Sequence, residues 1–172
     1  MISADGATLP PPDATLPRGR KVVSKRPIRA PAVLNDATSY AVPSSFSRGL
    51  RVALGDFDLI FISGTASVDE NGKTAHVGDF RAQCFRTYRN IATLLAAEGA
   101  TWHDVVRCTC YLRDIERDYQ AFNEVRTAFF SWLKLDPLPA STGIQATLCR
   151  PDLLVEVDAQ AIIKNQEQGR NR

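Results

Sequence analysis

The sequence holds no CxxC pair, no glycine-rich phosphate loop and no apolar run near the ~20 residues that a bilayer-crossing helix needs. Cysteines are few (Cys84, Cys108, Cys110 and Cys149), and the two histidines, His76 and His103, stand beside neither a second histidine nor a cysteine cluster. A zinc site therefore has no support, and no metal is expected. No lysine sits in a Schiff-base context, so the chain reads as cofactor-free. The N-terminus has no apolar stretch between a basic start and a small-residue cleavage site, so no secretory signal is expected. Reduced thiols in a cytoplasmic protein are the reading that follows. Net charge is scarce too. Lys and Arg total 21 against 19 Asp and Glu, a formal +2 that argues for neither a nucleic-acid nor a membrane partner.

What is there fits one domain with some extra sequence: 172 residues, 44% hydrophobic and 23% charged, enough to bury a core. Six of the ten prolines precede residue 32, among Arg18, Arg20, Lys21, Lys25, Arg26 and Arg29. Such a stretch buries little and does not offset its ordering entropy alone. Residues 1–40 are expected to be a flexible or extended extension. With no aromatic interleaved among its charges, it reads as a solvated tail rather than a nucleic-acid-binding arm. Residues 41–165 are expected to form the domain and 166–172 a polar tail.

Within the domain, GLRVAL (49–54) and DLIFIS (58–63) read as strands joined by a Gly55-Asp56 turn, and Asn71-Gly72 marks another turn. Asp79 caps a helix in which Phe80, Cys84, Tyr88, Ile91 and Leu95 recur at helical spacing up to Gly99. VVRCTCYL (105–112) is a strand. Asp118 is expected to open a second helix that sends Tyr119, Phe122, Val125, Phe129 and Trp132 to the core and stops before Pro137. STGIQATL (141–148) and LLVEVDAQAII (153–163) complete the strands, the latter with Glu156 and Asp158 on one face. The order implies an α+β fold with two helices on one sheet face, the other face left for a second subunit to cover.

The residues from 46 to 163 resemble the Rid (YjgF-type) superfamily, through LIFISGTASVDENGK, AEGATWHDVVRCTCYLRD, FNEVRTAFF, LPAST and LLVEVDAQAI. The resemblance implies a chorismate-mutase-like fold, a homotrimer and a cleft between each pair of subunits. The imine deaminases of that superfamily carry a Pro-Ala-Arg-Ser motif whose arginine holds the substrate carboxylate as a bidentate pair. Here Pro139-Ala140-Ser141-Thr142 stands instead, with Phe46 for the family's tyrosine and Gly143 for its cysteine. Ser63, Gly64, Asn123 and Glu156 match the pattern. A narrower resemblance, in ISGTAS (62–67) and CRPDLLVEVDA (149–159), is to the chorismatase catalytic domain. There the closing-strand glutamate is the proton donor, and a cysteine seven residues earlier lines the pocket, as Cys149 precedes Glu156.

These readings give a candidate site. Glu156 lies between two valines and is expected to act as a general acid/base, since a carboxyl in apolar surroundings favours its protonated form. Its alternative is a solvent-facing strand side. Ser63, Gly64, Thr65 and Ala66 offer backbone N–H groups at a strand end. Arg150, before a Pro-Asp turn, is the best replacement for the missing clamp unless it pairs with Asp152; Arg48 and Arg51 are weaker replacements. Phe46 is expected to be an apolar wall, Cys149 a pocket-lining or buried thiol, Ser141 the altered anchor, and Asn123 a fixer of a loop. The expected substrate is a small carboxylate-bearing metabolite. Chorismatase-like enol-ether hydrolysis, elimination or tautomerisation is the leading reaction class; deamination of an unusual imine, or metabolite binding without turnover, are the alternatives. An endoribonuclease activity is not expected from a net charge of +2 and no paired histidines.

Overall fold

The computed structural model describes residues 23–32, 34–40 and 43–165. Its sheet has six strands: β1 (Lys25–Pro27), β2 (Gly49–Leu54), β3 (Phe57–Ala66), β4 (Val105–Leu112), β5 (Ala140–Gln145) and β6 (Val155–Lys164). They run in the order β1-β2-β3-β6-β4-β5, with β4 and β5 parallel and every other pair antiparallel. The closing strand β6 is thus central, which carries Glu156 to the middle of the sheet. Alternation then divides it. Val155, Val157, Ala159 and Ala161 are buried, while Glu156, Asp158, Gln160 and Ile162 point to the other face.

Helices α1 (Phe80–Ala96) and α2 (Ile115–Leu133) pack on each other and over the apolar face. Asp79 caps α1 as expected, its side chain accepting from the Ala82 N–H. The second helix starts earlier than the sequence suggests. Asp114, not Asp118, is the cap, accepting from the Arg117 N–H, and Asp118 lies buried in the first turn beside Arg117. Two aspartates compete to cap this helix, and the partly buried Ile115 favours the earlier one by packing against the core. The inward stripe is then Phe122, Phe129 and Phe130 with Val125 beside them, so Tyr119 (50% exposed) and Trp132 (76% exposed) turn outward. Tyr88 from α1 completes an aromatic cluster, stacked on Phe129 at 5.3 Å and edge-on to Trp102 at 5.4 Å.

The extension differs as well. From Lys25 onward it belongs to the fold: β1 pairs with β2, and Ile28 and Leu34 are fully buried in the core. Residues 1–22 and 166–172 lie outside the described residues. Strand β5 spans Ala140–Gln145 rather than 141–148, and all six of its residues are exposed. No helix among the described residues is long and apolar enough to cross a membrane.

Asn90 ties α1 to the end of β3. Its side chain is buried, and Nδ2 donates to the carbonyls of Ala66 and Val68 at 3.0 Å each while Oδ1 accepts from Arg86. Asn90→Ala strands these groups and is expected to cost about 2–4 kcal/mol, read as a lowered denaturant midpoint at unchanged slope.

Candidate active site

The site begins with a defect in the ladder. Ile62 pairs with Ala159 and Thr65 with Val157, so Ser63 and Gly64 together face the single residue Asp158. This β-bulge sits at the centre of the sheet, where extra residues re-aim side chains and backbone. Ser63 is fixed by its Oγ donating to the Ser47 carbonyl (2.7 Å) and its N–H donating to the Arg48 carbonyl (3.0 Å). The bulge leaves a notch at Gly64, and Glu156 lies in it. A Cβ added at Gly64 would stand 2.0 Å from Glu156 Oε1. A residue with a side chain fits here only if this carboxyl moves.

The two carboxylates of β6 on this face are treated differently. Asp158 accepts from Tyr111 Oη (2.9 Å) and the Thr109 N–H (3.1 Å). Glu156 is half-buried and takes no hydrogen bond or ion pair from any described side chain. Burial pushes its carboxyl above the usual carboxylate range, the charge of Asp158 adds to this, and Arg48 opposes it. The carboxyl is therefore biased toward the protonated form, the state that a general acid needs.

Arg48 is 5% exposed. Its Nε donates to the Asn35 carbonyl (3.0 Å), while Nη2 is buried without a partner among the described residues. The guanidinium lies 5.2 Å from the centre of the Tyr40 ring and 5.6 Å from that of Phe46, and Arg150 approaches the same Tyr40 ring at 5.7 Å. Burial lowers the Arg48 pKa, and Arg150 lowers it further. Arg150 donates to the Gly72 carbonyl (2.5 Å) instead of pairing with Asp152. Two guanidinium groups thus converge on Tyr40, and that of Arg48 acts on Glu156. Arg51 does not join them, being held by Asp58 (2.5 Å) and Glu98 (3.3 Å).

The structure sorts the expected residues into groups. Ser63, Gly64 and Glu156 gather at the bulge, with Arg48 acting on the carboxyl; Phe46 faces Arg48 as a cation-facing ring rather than a bare apolar wall, and Arg150 joins through Tyr40. Thr65 and Ala66 are buried: the Thr65 hydroxyl donates to the Ser63 carbonyl, and Ala66 packs with Leu148 and Leu153. Cys149 is exposed, on the loop after β5. Burial raises the Cys84 and Cys108 thiols to about 12, so neither supplies a thiolate. Asn123 and Ser141 form a separate group at the β5 edge. Asn123 fixes no loop; its Oδ1 accepts from Arg126 Nη2 (2.5 Å), and Arg126 Nη1 donates to Ser141 Oγ (3.3 Å). Arg126 and Tyr40 are the residues that the sequence reading missed. For Arg126 the signal was present: it follows Asn123 by three on a helix, which places both on one face.

The family model described as Endoribonuclease L-PSP matches residues 41–163. The chain belongs to this family. A RutC family protein of Pyrococcus abyssi is 32% identical over 116 residues, 67% of this chain and 84% of that protein. The 3-aminoacrylate deaminase RutC of Acinetobacter baylyi is 33% identical over 104 residues, covering 60% of this chain and 79% of its own. Among solved structures, the YjgF gene product of Escherichia coli superposes with a TM-score of 0.65 at 23% identity, over 81% of this chain and 99% of the other. The YjgF-type fold, two helices on one face of a single mixed sheet, is thereby shown for this member of the endoribonuclease L-PSP family.

Proposed function

We propose that this L-PSP family member is a cofactor-free enzyme that hydrolyses an electron-rich alkene, an enol ether or enamine, in a small carboxylate-bearing metabolite. The observation that carries the reading is the Glu156 carboxyl, unpaired among the described residues, biased toward protonation and seated against a glycine in a central bulge. Protonated Glu156 delivers its proton to the alkene carbon. The heteroatom lone pair then forms an oxocarbenium or iminium ion, and water adds to it. The glutamate takes back a proton from that water, and the adduct expels the alcohol or the amine. The Ser63–Gly64 backbone and Arg150 hold the polar groups of the substrate.

A chorismatase-like reaction is the sharpest enol-ether version, and the similarity to a 3-aminoacrylate deaminase favours the enamine version. Incubation of the full chain with chorismate and, separately, with freshly generated 3-aminoacrylate distinguishes them. Pyruvate by mass spectrometry supports the first, and ammonia release above the spontaneous rate supports the second. Saturable binding of both with neither product overturns the enzymatic reading.

The site is proposed to be completed in a homotrimer. Among the described residues no hydrogen bond or ion pair joins the bulge group to the Asn123–Ser141 group, and the sheet face bearing Glu156 also exposes Phe61 (39%) and Ile162 (41%). Sedimentation equilibrium is expected to give three times the 18.9 kDa chain mass. Phe61→Arg, which puts a charge on this face, is expected to yield monomers.

A further inference from the structure

A cavity of about 510 Å³ lies between the second half of α2 and the segment leading into β5, with Arg126, Phe130, Lys134, Leu138 and Ser141 among its lining residues. Its volume is in the range of small-molecule sites. Arg126 is half-buried and, like Arg113 and Arg150, pairs with no acid among the described residues, but it is the one of the three that lines this cavity. Its guanidinium lies over the Phe122 ring at 4.9 Å and bonds only neutral oxygens, the Asn123 amide and the Ser141 hydroxyl. No carboxylate among the described residues pairs with it, including Asp136, which lines the same cavity. Arg51, Arg117 and Arg26, by contrast, each hold a buried acid. A partly desolvated guanidinium without a counter-ion, facing a cavity, is a place where an anion gains a charge-assisted bond at little cost.

We infer that Arg126 anchors the carboxylate of a small organic acid in this cavity. The 3.3 Å bond from Nη1 to Ser141 is the weaker of its two, and Ser141 Oγ accepts in it; its other contact is with Cys110 Sγ at 3.8 Å, a weak partner that leaves the serine's proton to be turned to a stronger acceptor. One carboxylate oxygen takes the Nη1 proton and the other the serine proton. The Asn123 bond to Nη2 sets the plane of the fork. Phe130, Leu135, Leu138 and Pro139 give the remaining walls an apolar character, which suits an acid with a short hydrocarbon or unsaturated body. This deepens the reading above by naming what holds the substrate's acid group, and the two fail separately.

The test is calorimetric titration of the full chain with benzoate and pyruvate, and with benzamide as the uncharged counterpart of benzoate. The expected result is saturable binding of at least one acid and none of benzamide. Arg126→Met is expected to weaken that binding about ten-fold or more, the usual consequence of losing a charge-assisted bond. Arg126→Lys is expected to fall between, because it keeps the charge and loses the fork. Ser141→Arg placed on the Arg126→Met background is expected to recover binding, which separates an anchor from a merely structural arginine. No saturable binding of either acid by the wild type, equal binding of benzamide, or unchanged binding in both Arg126→Met and Arg126→Lys overturns the assignment.

Discussion

Glu156→Gln is expected to abolish turnover of whichever substrate the protein accepts while leaving secondary structure and assembly intact. The amide keeps the shape of the side chain and removes the transferable proton. A loss of about 10²–10⁴-fold in kcat is the usual measure of a general acid. The same substitution has a signature in stability. Burial and Asp158 raise the Glu156 carboxyl in the folded state above its unfolded value. Between the two values the native state binds more protons than the unfolded one, so stability falls as pH rises through that window. The ionised carboxylate is thus a burden on the fold at neutral pH and none below the unfolded value. Glu156→Gln is therefore expected to melt higher than the wild type at pH 7, the difference vanishing as the pH drops below the ordinary glutamate range. For wild-type activity, kcat/KM declines as pH rises past the raised value, because the acid is then already deprotonated. An active Glu156→Gln, or a melting difference that grows toward acid, removes this residue from the mechanism.

Gly64→Ala is expected to separate activity from stability in a different way. The added methyl falls 2.0 Å from Glu156 Oε1, closer than a non-bonded carbon and oxygen approach, and 3.0 Å from its Cδ, tighter than an ordinary contact. The obstructing group is the far end of a flexible side chain, so the carboxyl swings away rather than the sheet breaking. The cost in folding is therefore small, about 1 kcal/mol for an off-rotamer side chain. The proton is displaced from its position, and misplacement on the scale of 1 Å costs about 10²-fold in rate. Steady-state kinetics beside a thermal melt checks this. A large drop in melting temperature with activity retained per folded molecule would show that the glycine serves the backbone instead.

The alternation of β6 was readable because a period of two is unambiguous in VEVDAQA, and it correctly divided Val155, Val157 and Ala159 from Glu156 and Asp158. Asp79 and the α1 stripe were equally plain. The start of α2 was not, since Asp114 and Asp118 are both good caps and only the packing of Ile115 decides between them. Tyr119 and Trp132 were misplaced for the reason that an aromatic near the edge of an apolar stripe carries no local sign of which way it turns. The extension was read from its prolines and charges, which hide Ile28 and Leu34; two apolar residues suffice to dock a short strand once β2 presents an edge. In the site, Glu156, Ser63 and Gly64 were legible as a pattern. The convergence of Arg48 and Arg150 on Tyr40 was not, because it joins segments about a hundred residues apart in sequence.

The bulge in β3 has a corollary for how this fold could lose its chemistry. Ahead of it the even-numbered residues Ile60 and Ile62 face the core; after it the odd-numbered Thr65 does. Excising one codon, for Ser63 or Gly64, would restore a regular ladder with Ile62 and Thr65 still opposite Ala159 and Val157. Most single deletions in a central strand invert every side chain beyond them. At this spot the chain can shorten, keep its interior and lose only its notch, giving a folded, silent paralogue one residue away.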